Sequence, residues 1–259
     1  MKDITTTLLK RTSVRRYERQ PIEEEKLKLI YEAIANSPTS YNGQQYSVIA
    51  IDDQTMKEKL YELTGQKQIK TCALFLIFCA DYYKIGLLAH EKDIDVPPFC
   101  KTMDGVMVGA IDATIAMSNA RIMAEGLGLG CCCIGYVRTA APQEVSAMLN
   151  LPQGTFIVCG LAIGYPREQP DMKPKQEEAL LIHLNGYHTE EMLQQLRQYD
   201  EHISSYNRTR QGSTSDNDWC GHIVDYYVEG MGNHVLSYLE SQGCGISHEN
   251  DKNDKQLQK

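Results

Sequence analysis

Hydrophobic and polar positions along the chain repeat with two periods, one typical of helices and one typical of strands. Apolar residues recur every three or four positions in several segments, which predicts helices with one buried face. Shorter runs rich in β-branched and aromatic residues predict strands. The predicted helices cover residues 2–10, 22–36, 54–63, 103–125, 142–149, 189–205 and 220–241. The predicted strands are Tyr46–Ile51, Cys72–Ala80, Cys131–Val137 and Thr155–Ile163.

Two of these segments predict where the core lies. Cys72–Ala80 is apolar on both faces, which is typical of a central, buried strand. Residues 103–125 are apolar nearly all round, so we expect a buried helix that ends at Gly126, Gly128 and Gly130. Helices interleave with only four or five strands, and no glycine-rich loop follows the first strand. The pattern therefore indicates an α+β fold with a central sheet flanked by helices, rather than a Rossmann fold.

Composition excludes several classes of function. The chain has 259 residues and a formal net charge of −8, which argues against a nucleic-acid-binding surface. Its most apolar long segment, residues 105–124, carries Asp112, Asn119 and Arg121, so we expect no membrane span. The first residues lead straight into an amphipathic segment without a signal-peptide pattern. We therefore expect a cytoplasmic protein.

The nine cysteines do not form a recognisable metal or disulfide pattern. No CxxC pair is present, and the seven histidines show no ligand spacing with the cysteines. Neighbouring residues of a strand point to opposite faces, so the triplet Cys131–Cys133 cannot bind one metal ion together. Cys72, Cys79 and Cys159 lie inside apolar runs, where a thiol behaves as a small hydrophobic group. We expect reduced thiols and no metal site.

A cationic segment, Arg11-Thr12-Ser13-Val14-Arg15-Arg16-Tyr17, lies between the first two predicted helices. In an extended backbone, Arg11, Ser13 and Arg15 share one face, because side chains alternate along a strand. Two guanidinium groups and a hydroxyl on one face offer several hydrogen-bond donors to a phosphate. Taken alone, however, the segment reads more simply as a solvated basic turn.

Three further loops are rich in polar groups. Residues 37–45 and 64–68 carry hydroxyls and carboxamides, which both donate and accept hydrogen bonds. In residues 164–175, Lys173 and Lys175 flank Pro174 and offer a second pair of cations to an anion. Each loop by itself is also an ordinary polar connection. No catalytic triad, phosphate-binding loop or paired carboxylates accompany them, so we expect a bound organic cofactor to supply the chemistry.

In this order, the segments resemble the nitroreductase family, and more closely its oxygen-insensitive NAD(P)H nitroreductase and flavin reductase P group. The resemblance covers about residues 4–243. The matching segments are Arg11–Tyr17, Leu63–Gln66, Phe78–Asp81, Glu125–Gly130, Ile134–Arg138, Gly164–Pro174, Tyr199–Glu201, Thr209–Arg210 and Trp219.

The resemblance implies a nitroreductase-like α+β fold with a mixed or antiparallel central sheet. It implies one FMN-binding domain over residues 1–243, with a C-terminal helical excursion over about residues 180–243. The remaining residues, 244–259, are expected from their polar composition to form a flexible tail. The resemblance also implies a homodimer with FMN at the subunit interface.

The resemblance further implies which residues bind the cofactor and the coenzyme. No catalytic side chain is implied, because FMN carries the chemistry, and Arg210 is implied to bind the substrate or NAD(P)H. The implied FMN-binding residues are Arg11, Thr12, Ser13, Arg15, Ser40, Asn42, Gln44, Gln66, Ile134, Gly135, Lys173 and Lys175.

The activity implied is ping-pong hydride transfer from NADH or NADPH through FMN to nitroaromatics, quinones or flavins. The alternatives are a free-flavin reductase and a degenerate FMN-binding protein with little turnover. In the reference group, arginines that follow the Thr-Arg pair are thought to bind the NADPH phosphate, whereas here residues 211–218 are acidic and lack arginine. We therefore expect no strict preference for NADPH.

Two other segments depart from the group. Cys132 and Cys133 stand where bulkier residues precede Ile134, which either opens the pocket, leaves a thiol near the flavin or is a simple packing substitution. The loop around Ser40 also differs from the group in length and composition. The resemblance therefore implies the role of Gln44 more directly than that of Asn42.

Overall fold

The computed structural model describes residues 2–210, 214–228 and 234–245. Its described strands form one four-stranded antiparallel sheet in the order β1-β2-β4-β3. The strands are β1 (Tyr46–Ile51), β2 (Leu74–Asp81), β3 (Gly130–Ile134) and β4 (Thr155–Gly164). The predicted α+β class with a central sheet is confirmed, and the sheet is antiparallel throughout.

The predicted central strand, Cys72–Ala80, is found as β2, which pairs with β1 on one side and β4 on the other. Every residue of β2 is buried, as is typical of a strand in the middle of a sheet. Phe75, Leu76 and Ile77 are wholly inaccessible to solvent and form the middle of the core.

Helices make up most of the other described residues, which also include 3₁₀ turns at Ser40–Asn42 and Phe99–Lys101. The described helices are α1 (Ile4–Leu9), α2 (Glu24–Ala35), α3 (Gln54–Thr64), α4 (Lys67–Thr71), α5 (Tyr83–Glu91), α6 (Met103–Gly126), α7 (Tyr136–Thr139), α8 (Pro142–Met148), α9 (Glu178–Leu181), α10 (Met192–Thr209), α11 (Trp219–Val228) and α12 (Val235–Ser241).

Short polar side chains cap the first turns of α3 and α6, and glycines with positive φ follow the ends of both helices. The Asp53 carboxylate accepts a hydrogen bond from the amide of Met56 at 2.7 Å and starts α3. Gly65 ends α3 in the left-handed conformation, with φ of 69°. The Thr102 hydroxyl accepts from the amide of Gly105 at 3.0 Å and starts α6. Gly128, with φ of 87°, turns the chain from α6 towards β3.

Two predictions about these elements are wrong. The segment α6 was expected to be buried all round, but Met103, Met107 and Ile111 are each about half exposed, at 55%, 52% and 49%. These positions are four residues apart and lie on one side of the helix, away from the sheet. The strand predicted over Cys131–Val137 ends at Ile134, because Gly135 begins the short helix α7.

The chain divides into two compact units, Met1–Gln169 with Gly232–Lys259, and Pro170–Met231. The first contains the sheet, and the second contains α9, α10 and α11. The single domain predicted over residues 1–243 stays a prediction. Of the tail predicted over residues 244–259, positions 246–259 lie outside the described residues, and Cys244 is buried. No helix in the described part of the chain has both the length and the apolar character that a bilayer crossing needs.

Candidate functional site

The cationic segment is extended and lies beside β3 at the edge of the sheet. The amide of Val14 donates to the carbonyl of Cys131 at 2.9 Å, and Ser13 pairs with Cys131 in a parallel bridge. The buried Tyr17 hydroxyl donates to the Val14 carbonyl at 2.6 Å, and Tyr17 forms an antiparallel bridge with Pro166. The extended conformation predicted for residues 11–17 is therefore found, and it fixes which side chains share a face.

Arg11 and Ser13 are in direct contact on that face. A terminal guanidinium nitrogen of Arg11 donates to the Ser13 hydroxyl at 3.1 Å. The Nε of Arg11 lies 3.8 Å from Oε1 of Glu125, while Arg121 donates to the other carboxylate oxygen at 2.8 Å. Arg11 Nε and Glu125 Oε1 are both buried and have no hydrogen-bond partner among the described residues. The carboxylate therefore holds Arg11 by charge and leaves donors of its guanidinium available.

Sequence reasoning missed Glu125, which lies in the last turn of a largely apolar helix. The spacing of Arg121 and Glu125, four residues apart in a predicted helix, was the signal that could have found the pair. Burial raises the pKa of the Glu125 carboxyl, and the charges of Arg121 and Arg11 oppose that rise. Glu125 is thus an ionisable group directly behind the cationic face.

This raised pKa predicts a pH dependence of stability. Between the ordinary pKa of 4.5 and the raised value, the folded state keeps a proton that the unfolded state has released. The free energy of unfolding attributable to Glu125 therefore falls as pH rises through this window, by up to about 1.4 kcal/mol per pH unit. We expect the stability of the wild type relative to Glu125→Gln to fall in the same way, measured by urea unfolding at several pH values. A difference that stays constant or rises with pH would contradict this role.

Arg15 and its neighbour Arg16 have different surroundings. One Glu168 oxygen accepts from the backbone amides of Arg15 and Arg16, at 2.7 and 3.1 Å. The Arg16 side chain also pairs with Glu168, at 3.6 Å, whereas the exposed Arg15 guanidinium makes a long bond of 3.4 Å to the Ser13 carbonyl. Burial raises the pKa of Cys132, while Arg15 and Arg11 oppose that rise. The charges of Arg11 and Arg15 therefore both act on Cys132 of β3.

The remaining predicted residues at this edge differ in exposure. Thr12 is half-buried and alternates with Arg11 and Ser13. Ile134 is buried, whereas Gly135 is exposed, and a Cβ added at Gly135 would meet open space. The Gly135 backbone is therefore accessible to a bound group.

The loop of residues 40–45 is attached elsewhere in the first unit. The amide of Ser40 donates to the buried carboxylate of Asp112 on α6 at 3.1 Å. The amide of Gln44 donates to the Thr39 hydroxyl at 3.1 Å, and Lys84 donates to the Gln44 carbonyl at 3.2 Å. The hydrogen bonds from this loop to other elements run to β2, α5 and α6, and among the described residues none joins Ser40, Asn42 or Gln44 to the cationic segment.

This loop has a strained backbone and exposed side chains. Asn42 and Gln44 are exposed and have positive φ angles of 53° and 49°. Such angles are uncommon for residues other than glycine and are found at functional sites when the surroundings hold them in place. The loop therefore presents carboxamides to solvent from a fixed backbone.

Gln66 lies at the first position before α4 and is half-buried. Its side-chain oxygen accepts from the carboxamide of Gln68 at 2.8 Å, which fixes its orientation. The orientation leaves the amide nitrogen of Gln66 as a donor for a bound group.

The other predicted residues lie in the second unit. Lys173 and Lys175 are exposed, and Arg210 is half-buried directly after α10. The Asp200 carboxylate accepts from the amides of Trp219 and Cys220, each at 2.9 Å, and so starts α11. Of the loop without arginines, residues 211–213 lie outside the described residues, and Asp216 is exposed.

The chain matches known families along nearly its whole length. The model of the Nitroreductase family matches residues 8–94 and 100–165, and that of the Nitroreductase family, C-terminal domain, matches residues 173–246. The chain therefore belongs to the nitroreductase family. The predicted family, the fold class and the prediction that the protein is an enzyme are confirmed.

Individual relatives are similar over the same extent. The FMN reductase [NAD(P)H] of Bacillus subtilis (strain 168) is 34% identical over 248 residues, which are 95% of this chain and 99% of that protein. The structure of the hypothetical oxidoreductase YcnD from Bacillus subtilis has a TM-score of 0.90 and 34% identity, covering 95% of this chain and 100% of that one. The NADPH:FMN oxidoreductase from Vibrio harveyi, complexed with NAD+, has a TM-score of 0.82 and 25% identity, covering 93% and 97%.

Proposed function

We propose that this protein is an FMN-dependent NAD(P)H oxidoreductase that passes electrons to flavins, quinones or nitroaromatics in a ping-pong cycle. The observation that carries the proposal is the pairing of residues 11–17 with β3, which puts Arg11, Ser13 and Arg15 on one edge of the sheet. The names of the Bacillus subtilis and Vibrio harveyi relatives support FMN with NAD(P)H as cofactor and co-substrate.

The residues of the first unit fit the phosphate end of FMN. Arg11 brings a buried Nε that no other described residue hydrogen-bonds, and Ser13 and Arg15 add a hydroxyl and a second guanidinium group. In the proposed role these three side chains bind the phosphate, with Thr12 beside them. Charge-assisted hydrogen bonds of this kind are about twice as strong as neutral ones. Glu125 limits the positive charge behind them and holds Arg11 in place.

The residues proposed to meet the flavin ring and ribityl chain offer amides and little charge. Ile134 and Gly135 would present backbone groups to the ring at the open end of β3. Bound FMN supplies the hydride-accepting chemistry, and the chain binds and orients it. The proposed ligands from the loops are Ser40, Asn42, Gln44 and Gln66, whereas Lys173 and Lys175 are proposed to join the arginines at the phosphate and ribityl chain.

The visible spectrum of the purified protein tests this proposal. We expect a bound flavin band that bleaches on anaerobic addition of NADH or NADPH. A band that neither donor bleaches would support the degenerate FMN-binding protein instead. If no flavin binds even after FMN is added, the proposal is wrong. Comparing free flavins, quinones and nitroaromatics as acceptors then separates a free-flavin reductase from a broader oxidoreductase.

We also propose that the protein is a homodimer. Met103, Met107 and Ile111 form an exposed apolar stripe on α6, and Ile85 and Leu88 of α5 are likewise about half exposed. Contiguous exposed apolar residues of this kind mark interaction surfaces. A second copy of the chain is the partner that the resemblance implies.

Ile111→Glu is expected to weaken this dimer, because burying an unpaired carboxylate in an apolar interface is costly. The mutant should elute and scatter light as a monomer at concentrations where the wild type is a dimer. Leu29→Glu, on the exposed side of α2, is the matched control and should leave the mass unchanged. A monomeric wild type, or a dimeric Ile111→Glu, would contradict the proposed interface.

We propose that Arg210 contacts NAD(P)H and that the acidic residues after it weaken binding of the NADPH phosphate. Asp216→Arg is expected to raise kcat/KM for NADPH relative to NADH by about tenfold, which corresponds to one charge-assisted contact. Ser215 is kept, because its hydroxyl accepts from the amide of Asn217 at 3.1 Å. Asp216→Asn separates loss of the carboxylate from gain of the guanidinium. An unchanged ratio in Asp216→Arg would show that this position does not face the coenzyme.

A further inference from the structure

Two cysteines far apart in sequence meet outside the candidate site. Cys100 lies in the 3₁₀ turn before α6, and Cys244 follows α12 near the end of the described chain. The amide of Gly245 donates to the Cys100 carbonyl at 3.2 Å, and the Cys100 thiol lies 3.5 Å from the Gly243 carbonyl. Backbone bonds on this short segment therefore hold the two cysteines at one point of the first unit.

The interaction of the two thiols shifts their pKa values in opposite directions. A hydrogen bond with Cys244 and the charge of Lys101 lower the pKa of Cys100 to about 7, against an opposing effect of burial. The same contact, together with burial, raises the pKa of Cys244. Cys100 is the less buried of the two, so it is the one that ionises, while Cys244 remains a thiol that donates to it.

Cys100 is also reachable from solvent. It lines a cavity of about 570 Å³ whose wall includes Lys84, His90, Phe99 and Gln153. Burial raises the pKa of the core thiol Cys72 to about 12 and also raises the pKa of Cys79, which makes both poor nucleophiles. Cys100 therefore combines partial exposure, a cationic neighbour and a second thiol within reach.

We propose that Cys100 and Cys244 form an oxidant-sensitive dithiol that closes to an intramolecular disulfide on reaction with a peroxide. The Cys100 thiolate attacks one peroxide oxygen, the O–O bond breaks, and a sulfenic acid forms with release of hydroxide. The Cys244 sulfur then attacks the Cys100 sulfur, the S–O bond breaks, and the Cys244 proton leaves with the hydroxyl group as water. The hydroxide takes up the proton that Cys100 released on ionising, so in total two thiols lose two electrons and one hydrogen peroxide is reduced to two waters.

The disulfide would tie the end of α12 to the turn that precedes α6. Because neither cysteine belongs to the proposed FMN ligands, the reaction is independent of the proposed oxidoreductase activity. Its test therefore measures the covalent state of the two cysteines and does not depend on turnover.

The experiment uses the full-length, FMN-loaded Cys220→Ser protein, because the tryptic peptide that follows Arg210 then has Cys244 as its one cysteine. The protein is treated with hydrogen peroxide, free thiols are blocked with iodoacetamide, and tryptic peptides are analysed by mass spectrometry. We expect a peptide pair linked through Cys100 and Cys244, which dithiothreitol separates. Recovery of Cys100 as alkylated thiol, as a sulfinic or sulfonic acid, or linked to another cysteine would overturn the proposal.

A second measurement tests whether Cys244 activates Cys100. Without peroxide, the rate of iodoacetamide alkylation at Cys100 is followed at pH 7 in the Cys220→Ser background. We expect Cys244→Ala to slow this rate several-fold, because the thiolate loses its hydrogen-bond donor. Cys159→Ala, which removes a thiol away from this pair, should leave the rate unchanged. Equal rates in the Cys244→Ala protein and its parent would contradict the proposed pair.

Discussion

Arg15→Ala is expected to lower the affinity for FMN by about 10- to 150-fold, the loss of one charge-assisted contact of about 1.5–3 kcal/mol. The guanidinium is exposed, and its bond to the Ser13 carbonyl is long, at 3.4 Å. Its removal should therefore affect cofactor binding more than folding. The dissociation constant is measured by titrating FMN into the apoprotein and following flavin fluorescence.

Arg16→Ala is the matched control, because Arg16 has the same charge and lies one residue further along the strand. Its side chain is 80% exposed and pairs with Glu168 on the opposite face from Arg15. We expect its FMN affinity to remain within about twofold of the wild type, as is usual for exposed ion pairs. An equal loss in both variants would mean that the segment acts through its total charge and not through the face that carries Arg15.

Gly130→Ala is expected to weaken FMN binding and to lower the free energy of unfolding by about 1–3 kcal/mol, the usual cost of overpacking. A Cβ at Gly130 would lie 2.8 Å from the Cβ of Val14, which is buried in the middle of the cationic segment. The side chain of Val14 is β-branched and stiff, so the segment itself has to move away from β3. Arg11, Ser13 and Arg15 would move with it. Urea unfolding and FMN titration measure the two effects.

A double mutant tests this explanation of Gly130. Val14→Ala removes two of the three Val14 atoms that collide, the methyl groups at 2.8 and 2.9 Å, and keeps the Cβ at 2.8 Å. Val14→Ala with Gly130→Ala should therefore recover part of the FMN affinity that Gly130→Ala alone loses. Gly126→Ala is the matched control, because its nearest neighbour would be the Thr7 hydroxyl at 3.9 Å. We expect that variant to bind FMN as the wild type does. Failure of Val14→Ala to restore any affinity would show that Gly130 acts in another way.

Much of the secondary structure could be predicted from the sequence. The first strand has the predicted bounds, Tyr46–Ile51, and the helix predicted over residues 54–63 is found as α3, which Gly65 ends. Both depend on residues close together in the chain: a β-branched run in one case and a left-handed glycine in the other. The short helices α4 and α5 were not predicted, because segments of this kind gain their stability from packing and not from their own pattern.

Burial was predicted less well than periodicity. The apolar side of α6 that carries Met103, Met107 and Ile111 was expected inside, yet it is exposed in the single chain. An apolar residue shows the same pattern whether it faces the core of its own chain or the surface that meets a partner. Only the packing of α6 against α2 and the sheet decides which side is which.

The sequence by itself determined the family, the α+β class and the alternation that places Arg11, Ser13 and Arg15 on one face of an extended segment. Only the tertiary structure placed this segment beside β3, with Glu125 behind Arg11, Glu168 under the backbone of Arg15 and Gly130 against Val14. It also brought Cys100 to Cys244. Strand alternation and helix periodicity are set by backbone geometry over a few residues, so they can be read locally. Which buried charge, glycine or thiol meets which partner depends on contacts between distant parts of the chain, and these exist only once the core has packed.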